Sequence, residues 1–334
     1  MSQDEVAEAL IASVFSIQSS VPSQVDKCAA ENRVASYHPQ DNEDHTKEVL
    51  LSFLCFLPAE GRQMLAEAII LFDNSQLFAL YKHLLTSILI PMKTRTAMLA
   101  ITPSSFDNKY DAVEQIAALM DKSPSRNSKI QLKELCLRRD NFRCMATGVI
   151  EESSGIESSA SDIFGPTELA HIIPFSIAQW DNKQKDHKVS QIWATLLKCF
   201  PNIALRPSDI NQPSNLMTLF SLAHKAFGEF SLAFEPTDET DKYKILTFSR
   251  NRRTALDLHL PPPNAHGERI VKFETHADVE LPSRQLLQTH AALAKILHTS
   301  GMAEYIDEIM RDREEIGCLA SDGSTNIQKL LFVF

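Results

Sequence analysis

The sequence has no pair of cysteines spaced as C-x-x-C. Its six cysteines are scattered over 334 residues, which argues against a zinc ribbon and against a dense disulfide framework. Cys136 and Cys144, eight positions apart, are therefore expected to be buried thiols. Reduced thiols are typical of an intracellular protein, here nuclear or cytoplasmic.

Long apolar runs are also missing. The best candidate, residues 77–92, is interrupted by Lys82 and His83, so it predicts a buried helix rather than a membrane span. Three acids stand among the first eight residues, and no basic segment precedes them. We therefore expect no secretory signal, no transmembrane segment and no membrane partner.

Basic residues are also fewer than acidic ones, 33 against 43. The net charge of −10 excludes a protein that binds DNA by overall positive charge alone. Residues 126–255 nevertheless hold 17 Lys and Arg against 15 Asp and Glu, which is +2 and leaves −12 for the rest of the chain. A polyanion could therefore approach the central segment without meeting the whole negative charge.

The composition that remains is that of a globular protein, with 44% apolar residues. Residues 1–125 have helical apolar spacing, apart from a polar linker around residues 19–44 that is broken by prolines. The Ser-rich run 123–128 marks the clearest domain boundary. We predict a helical N-terminal region over 1–125, and its acidity favours a protein partner there over DNA.

The pattern changes after this boundary to an α+β one. Two short β-prone runs, 167–173 and 216–219, precede a helix at 221–230. Elsewhere the spacing predicts a helical insert at 189–200, a hairpin of 230–234 with 243–248, a strand at 269–273, and helices at 282–300 and 303–315. We assign residues 126–255 to a central domain, and 256–334 to a strand and helices that pack on it.

Three polar residues stand out in the central domain. His171 lies in E-L-A-H-I-I-P, Asn215 follows 44 positions later and begins N-L-M-T-L, and His224 comes nine positions after Asn215 and begins H-K-A-F. Each alone has an ordinary interpretation: a half-buried histidine, a turn residue after Pro213, and a surface helix histidine. Their joint spacing favours a site.

This spacing resembles that of HNH endonuclease domains, and most closely a fungal branch of them. The shared motifs are R-C-x-x-T-G, A-H-I-I-P-F-S, N-x-x-T-L and H-x-x-F-G-x-F with a trailing F-x-P, which occur here at residues 143–148, 170–176, 215–219, 224–230 and 234–236. The resemblance covers roughly residues 130–323. It implies a ββα-metal core with a helical insertion and C-terminal helices.

The resemblance also implies a chemistry. His171 would be the general base that takes a proton from water, Asn215 would orient it or brace its loop, and His224 would be a metal ligand. The cofactor would be a single divalent ion, Mg²⁺, Mn²⁺, Ni²⁺ or Zn²⁺, that stabilises charge on the phosphorane and the leaving oxygen. The expected function is a metal-dependent endonuclease that hydrolyses phosphodiester bonds of DNA rather than RNA.

Two departures favour an alternative. Many HNH domains have an Asp directly before the first histidine, and some have a second ligand four residues after the helical one, whereas this chain has Ala170 and Gly228. Glu168 is expected to be a poor substitute, since it points away from the face of His171, and Glu229 lies off the face of His224. The alternative is a degenerate HNH module that binds nucleic acid or protein without cleaving it.

Two basic clusters are candidates for binding backbone phosphates. One consists of Arg138, Arg139 and Arg143, before the first β-prone run. The other follows the hairpin and consists of Arg250, Arg252 and Arg253. A solvated basic surface explains both clusters equally well.

Overall fold

The computed structural model of the chain describes residues 27–94, 101–107, 110–120, 123–124, 129–157, 159–180, 187–248 and 254–315. The chain forms two compact units, neither of them continuous in sequence. The first unit draws on residues 1–123, 176–208 and 295–334, and the second on residues 124–175 and 209–294. The division into three consecutive domains stays a prediction, and residues 176–208 fall in the first unit.

The chain combines a series of helices with small sheets that follow them, which fits the predicted α+β class. The helices are α1 Lys27–Ala35, α2 Thr46–Phe56, α3 Ala59–Leu71, α4 Asn74–Leu84, α5 Ile90–Thr94, α6 Tyr110–Leu119, α7 Lys129–Arg139, α8 His187–Cys199, α9 Ser221–Gly228, α10 Arg284–Thr299 and α11 Met302–Glu315. The strands are β1 Ile150–Glu151, β2 Phe164–Gly165, β3 Thr167–His171, β4 Leu216–Phe220, β5 Leu232–Pro236, β6 Lys242–Thr247 and β7 Arg269–Lys272.

The first unit contains the helices predicted for the N-terminal region. Pro58 separates α2 from α3, as expected of a residue that cannot continue a helix. α3 packs closely against α8, because Gly61 has no Cβ that would overlap the Cys199 carbonyl. Asp73 caps α4, since its carboxylate accepts from the backbone N–H of Gln76.

The buried helix predicted at 77–92 passes through Pro91 and ends at Thr94. A π-helical turn, Leu85–Leu89, follows α4 and resets the hydrogen-bond register. Pro91 therefore lies in the first turn of α5, where its missing N–H is not required. The run is buried, as predicted, except at the partly exposed Phe78 and Ala79. Among the described residues, no helix has the length and apolar composition of a membrane span.

The second unit is built on three small sheets. β1 and β2 pair in parallel, β3 and β4 pair antiparallel, and β5, β6 and β7 form an antiparallel sheet in that order. The predicted β-prone runs at 167–173 and 216–219 correspond to β3 and β4, in a register that pairs His171 with Leu216. α9 begins at Ser221, directly after β4.

The end of α9 is fixed by a histidine from α10. The ring of His290 stacks between Phe227 and Phe230, with ring centroids 3.8 and 4.3 Å away, and its Nε2 lies 3.1 Å from the Phe227 carbonyl oxygen. Phe230 adopts a positive φ of 60°. The H-x-x-F-G-x-F motif therefore supplies both the helix and the aromatic pair that holds its end.

Candidate functional site

The two faces of β3 have different neighbours. Side chains alternate along a strand, so Leu169 and His171 share one face while Glu168 and Ala170 share the other. Leu169 packs against Cys136 of α7, and Glu168 reaches His224 of α9. The strand pair is thus contacted by α7 on one face and by α9 on the other.

His171 ends β3 and is half-buried. Its Nε2 lies 3.0 Å from the side-chain oxygen of Asn211, and its ring lies beside Phe175 with centroids 5.6 Å apart. An amide oxygen can only accept a hydrogen bond, so Nε2 carries the proton and the lone pair of the neutral ring is on Nδ1. This is the protonation pattern that a histidine base requires.

Asn215 is fully buried and joins two loop segments. Its side-chain oxygen accepts from the backbone N–H of Ile173 at 2.8 Å, and its amide nitrogen donates to the carbonyls of Ile173 and Ile210 at 3.1 and 2.9 Å. Its own carbonyl accepts from Ile172. Asn215 ends a 3₁₀ turn and also holds the segment that directly follows His171.

Arg139 is not positioned as a phosphate ligand, contrary to the sequence-based expectation. Its side chain is fully buried, pairs with Asp140 at 2.6 Å, and donates at 2.9 Å to the carbonyls of Pro213, Leu216 and Glu280. Asp140 in turn accepts from the backbone N–H of Thr218 at 3.1 Å. The guanidinium has five N–H donors in a fixed plane, which suits it to bind several acceptors around β4. The sequence alone did not distinguish Arg139 from the neighbouring Arg138.

His224 lies on α9 and contacts an acid from β3. Its Nδ1 is 2.9 Å from a carboxylate oxygen of Glu168, and the two side chains are 21% and 50% exposed. As strand alternation predicted, Glu168 does not share the face of His171. α9 lies against the opposite face, where Glu168 projects.

The described donors do not form a closed metal site. No group of three or more His, Cys, Asp or Glu side chains that could hold an ion occurs within the described ranges. Ala170 is buried without a donor, and Gly228 ends α9. One imidazole and one carboxylate do fit an ion that keeps most of its shell as water and phosphate oxygens, as Mg²⁺ usually does.

Two of the remaining basic candidates form ion pairs with nearby acids. Arg138 is exposed and pairs with Glu134 on its own helix, and Arg143 lies 3.4 Å from Asp162. Arg250, Arg252 and Arg253 lie outside the described residues.

Cys136 and Cys144 are buried, as expected. Burial raises the pKa of Cys136 to about 11 and also raises that of Cys144. Both side chains therefore remain thiols at neutral pH, which makes them poor metal ligands.

Sequence reasoning missed two partners of the site. Asn211 lies 40 positions from His171, and no local pattern marks it as that residue's neighbour. The contact of Glu168 could have been found from the sequence. A helix that follows the second strand packs on one face of the strand pair, so an acid on either face of β3 is a candidate neighbour of that helix.

Comparison with known proteins supports an HNH nuclease domain. Residues 144–235 match the family model described as HNH endonuclease, a segment that includes β3, β4 and α9. Searches of the curated proteins and of the solved structures gave no match. The matched segment begins at the Cys144 of the R-C-x-x-T-G motif and contains His171, Asn215 and His224.

Proposed function

We propose that this protein is a metal-dependent HNH endonuclease that hydrolyses phosphodiester bonds of DNA, on a ββα-metal core formed by β3, β4 and α9. The observation that carries the proposal is the bond between His171 and Asn211, inside the segment that matches the HNH endonuclease family. A nuclease-type function is supported by that match, and the substrate and residue roles are our proposal.

His171 would act as the general base. With Nε2 bonded to Asn211, Nδ1 accepts a proton from a water molecule, and the water oxygen forms its bond to phosphorus. The bond from phosphorus to the leaving oxygen breaks, and that oxygen leaves with its electron pair and takes a proton from solvent. Asn215 keeps the segment after His171 in place.

His224 would hold the divalent ion. When bound, such an ion stabilises negative charge on the phosphate and on the leaving oxygen. The contribution of this chain is to hold the imidazole on α9 with its Nδ1 turned toward the Glu168 carboxylate, 2.9 Å away.

The direct test is cleavage of supercoiled plasmid with Mg²⁺, Mn²⁺ or Ni²⁺. The wild-type chain should nick the plasmid, and His171→Ala should lower the rate about 10²- to 10⁴-fold, as loss of a general base does. His266→Ala, which removes an exposed histidine from a loop of the same unit, is the matched control. Full activity of His171→Ala would refute the role of base. Faster cleavage of a matched RNA would refute the choice of DNA.

Asn211 offers a second test of the base. Asn211→Asp places a negative charge beside His171, which favours the imidazolium form. The base then stays protonated to higher pH, and the rising limb of the kcat/KM profile should move upward by about one pH unit or more. Asn211→Ala should lower kcat with little change in KM, and should leave the limb near its original pH. A profile that does not move in Asn211→Asp would argue against this pairing.

A second candidate function is a degenerate HNH module that binds nucleic acid without cleaving it. The buried Ala170, at the position of a common acidic ligand, is the observation that favours it. It predicts salt-dependent binding of a labelled DNA duplex in EDTA, with no cleavage after Mn²⁺ is added. Metal-dependent nicking that is lost in His171→Ala would exclude it.

A further inference from the structure

Glu168 contacts one of the three motif residues, His224, although it belongs to none of the motifs itself. It lies two residues before Ala170 and therefore projects from the same face of β3. Side chains two apart on a strand are separated by about 6.6 Å. An acid that many HNH domains have at position 170 is thus replaced, one strand repeat earlier, by another acid on the face that α9 covers.

The distance between Glu168 and His224 is that of two ligands of one ion. Nitrogen and oxygen ligands at about 2.1 Å from a metal, at right angles to each other, lie about 3.0 Å apart. The Nδ1 of His224 and a carboxylate oxygen of Glu168 are 2.9 Å apart. The two side chains are partly exposed, so an ion could reach them with water still attached.

A simple surface ion pair is the competing explanation. A pair that is 21% and 50% exposed adds little stability, typically less than about 1 kcal/mol. The Glu168–His224 pair nevertheless connects β3 with α9. The metal of the proposed nuclease would lie between these two elements. Stability gives little reason for an acid at this place, whereas metal binding does.

We propose that Glu168 is a ligand of the catalytic ion together with His224, and that it replaces the acid absent at position 170. The inference rests on the proposed function. One imidazole and one carboxylate make a mixed set, since imidazole suits Ni²⁺ and Zn²⁺ whereas carboxylate suits Mg²⁺ and Mn²⁺. Removing the carboxylate should therefore change which ion is preferred, and not only how tightly ions bind.

The experiment measures ion binding by the full chain without nucleic acid. Mn²⁺ is titrated and its free hexaaqua form is followed by electron paramagnetic resonance, and Ni²⁺ is titrated by calorimetry. Glu168→Gln should raise the Kd for Mn²⁺ at least about 10-fold, since loss of a residue that only hydrogen-bonds to a ligand already costs about 10- to 100-fold. Glu229→Gln, an exposed acid just after α9, is the control and should bind as the wild type does. A Kd for Glu168→Gln within twofold of the wild type would overturn the proposal.

The ratio of the two metals separates a ligand from a positioning residue. If Glu168 binds the ion, Glu168→Gln weakens Mn²⁺ more than Ni²⁺. If Glu168 only orients His224, the affinities fall by the same factor, and the assignment as ligand is wrong. His224→Ala should weaken Ni²⁺ at least as much as Mn²⁺, because it removes the imidazole.

A rescue variant adds an independent readout. Glu168→Ala combined with Ala170→Asp returns an acid to the same face and should recover most of the Mn²⁺ affinity. Because Ala170 is buried, circular dichroism checks that this variant is folded, and Glu168→Asp, expected to bind Mn²⁺ more tightly than Glu168→Gln, serves if it is not. A wild-type chain that binds no Mn²⁺ would refute the metal-dependent nuclease as well, whereas equal binding by wild type and Glu168→Gln would refute only the role of Glu168.

Discussion

Two buried cations, one in each unit, are accommodated in different ways. Arg139 in the second unit is fully buried, with its guanidinium bonded to Asp140 and to three backbone carbonyls. Lys82 in the first unit is 5% exposed, and its Nζ lies 5.0 and 4.9 Å from the ring centroids of Phe78 and Tyr81. Burial lowers the pKa of Lys82 to about 8, although acids such as Asp44 act in the opposite direction.

The difference shows what a buried charge contributes to each unit. A small-sheet unit has few ladder hydrogen bonds, so Arg139 and Asp140 connect β4 to its surroundings and to the segment that carries Asn215. A helical unit satisfies its own backbone, and at Lys82 the effect of burial on the pKa outweighs that of the nearby acids. The same class of side chain is therefore expected to stabilise one unit and to destabilise the other.

The largest effect is expected at Arg139. Arg139→Met should destabilise the second unit by about 3–5 kcal/mol, because it leaves the Asp140 carboxylate buried without its cation. Arg139→Lys should recover little of this, since an ammonium cannot reproduce the planar fork. Hydrogen exchange of the β3 and β4 amides during urea unfolding measures the change.

Arg138→Met is the matched control for Arg139. Arg138 is the neighbouring arginine on α7, and its ion pair with Glu134 is exposed at both side chains. Its removal should change stability by less than about 0.5 kcal/mol. Equal losses in the two variants would contradict the contrast between a bracing and a solvated arginine.

Asn215 should give the next largest effect. Asn215→Ala leaves the N–H and carbonyl of Ile173 and the carbonyl of Ile210 without this partner, at about 1–3 kcal/mol for such buried groups. The loss should appear as faster hydrogen exchange at 172–173, with β5 and β6 little changed. Gln212→Ala, at an exposed position three residues earlier, should show no such effect.

Lys82 should give the smallest effect, and with the opposite sign. Lys82→Met should stabilise the first unit by roughly 1–3 kcal/mol at pH 7, because a pKa lowered from 10.5 to about 8 marks a charge that folding disfavours. The wild-type stability from this group is present above pH 10.5 and is lost as the pH falls through about 8.

The advantage of Lys82→Met should therefore be constant below pH 8 and shrink toward pH 10.5. Thermal unfolding at pH 7 and pH 10 measures it. Lys27→Met, at an exposed helix position, is the control and should show no pH-dependent gain. A Lys82→Met protein that is less stable than wild type at pH 7 would contradict the interpretation.

Most of the elements were predictable from the sequence because local chemistry fixes them. The run 216–219 differs from β4 by one residue, and helices 282–300 and 303–315 differ from α10 and α11 by at most two at either end. β1 and β2 were missed, since two residues leave no periodicity to detect. The π-helical turn before Pro91 was not predicted, because such a turn has no local sequence signature.

The site was predictable only as far as its motifs extend. Spacing identified His171, Asn215 and His224, and the structure places them at the end of β3, before β4 and on α9. It did not identify Asn211, because the contact with His171 joins residues 40 positions apart. It also did not identify the contact of Glu168 with His224, because this depends on which face of β3 α9 covers. Arg139 was taken for a surface residue because its two-residue motif, R-R, carries no information about burial.

The bonds of Asn215 also act as a clasp at the point where the chain passes from one unit to the other. The chain leaves the second unit after Phe175 and returns at Asp209, and Asn215 ties Ile173 on the outgoing side to Ile210 on the incoming side. The stretch between them carries α8, which is largely buried in the first unit. With both ends of the excursion held by one amide, the segment next to His171 is fixed within the second unit itself and does not rely on how the excursion packs elsewhere.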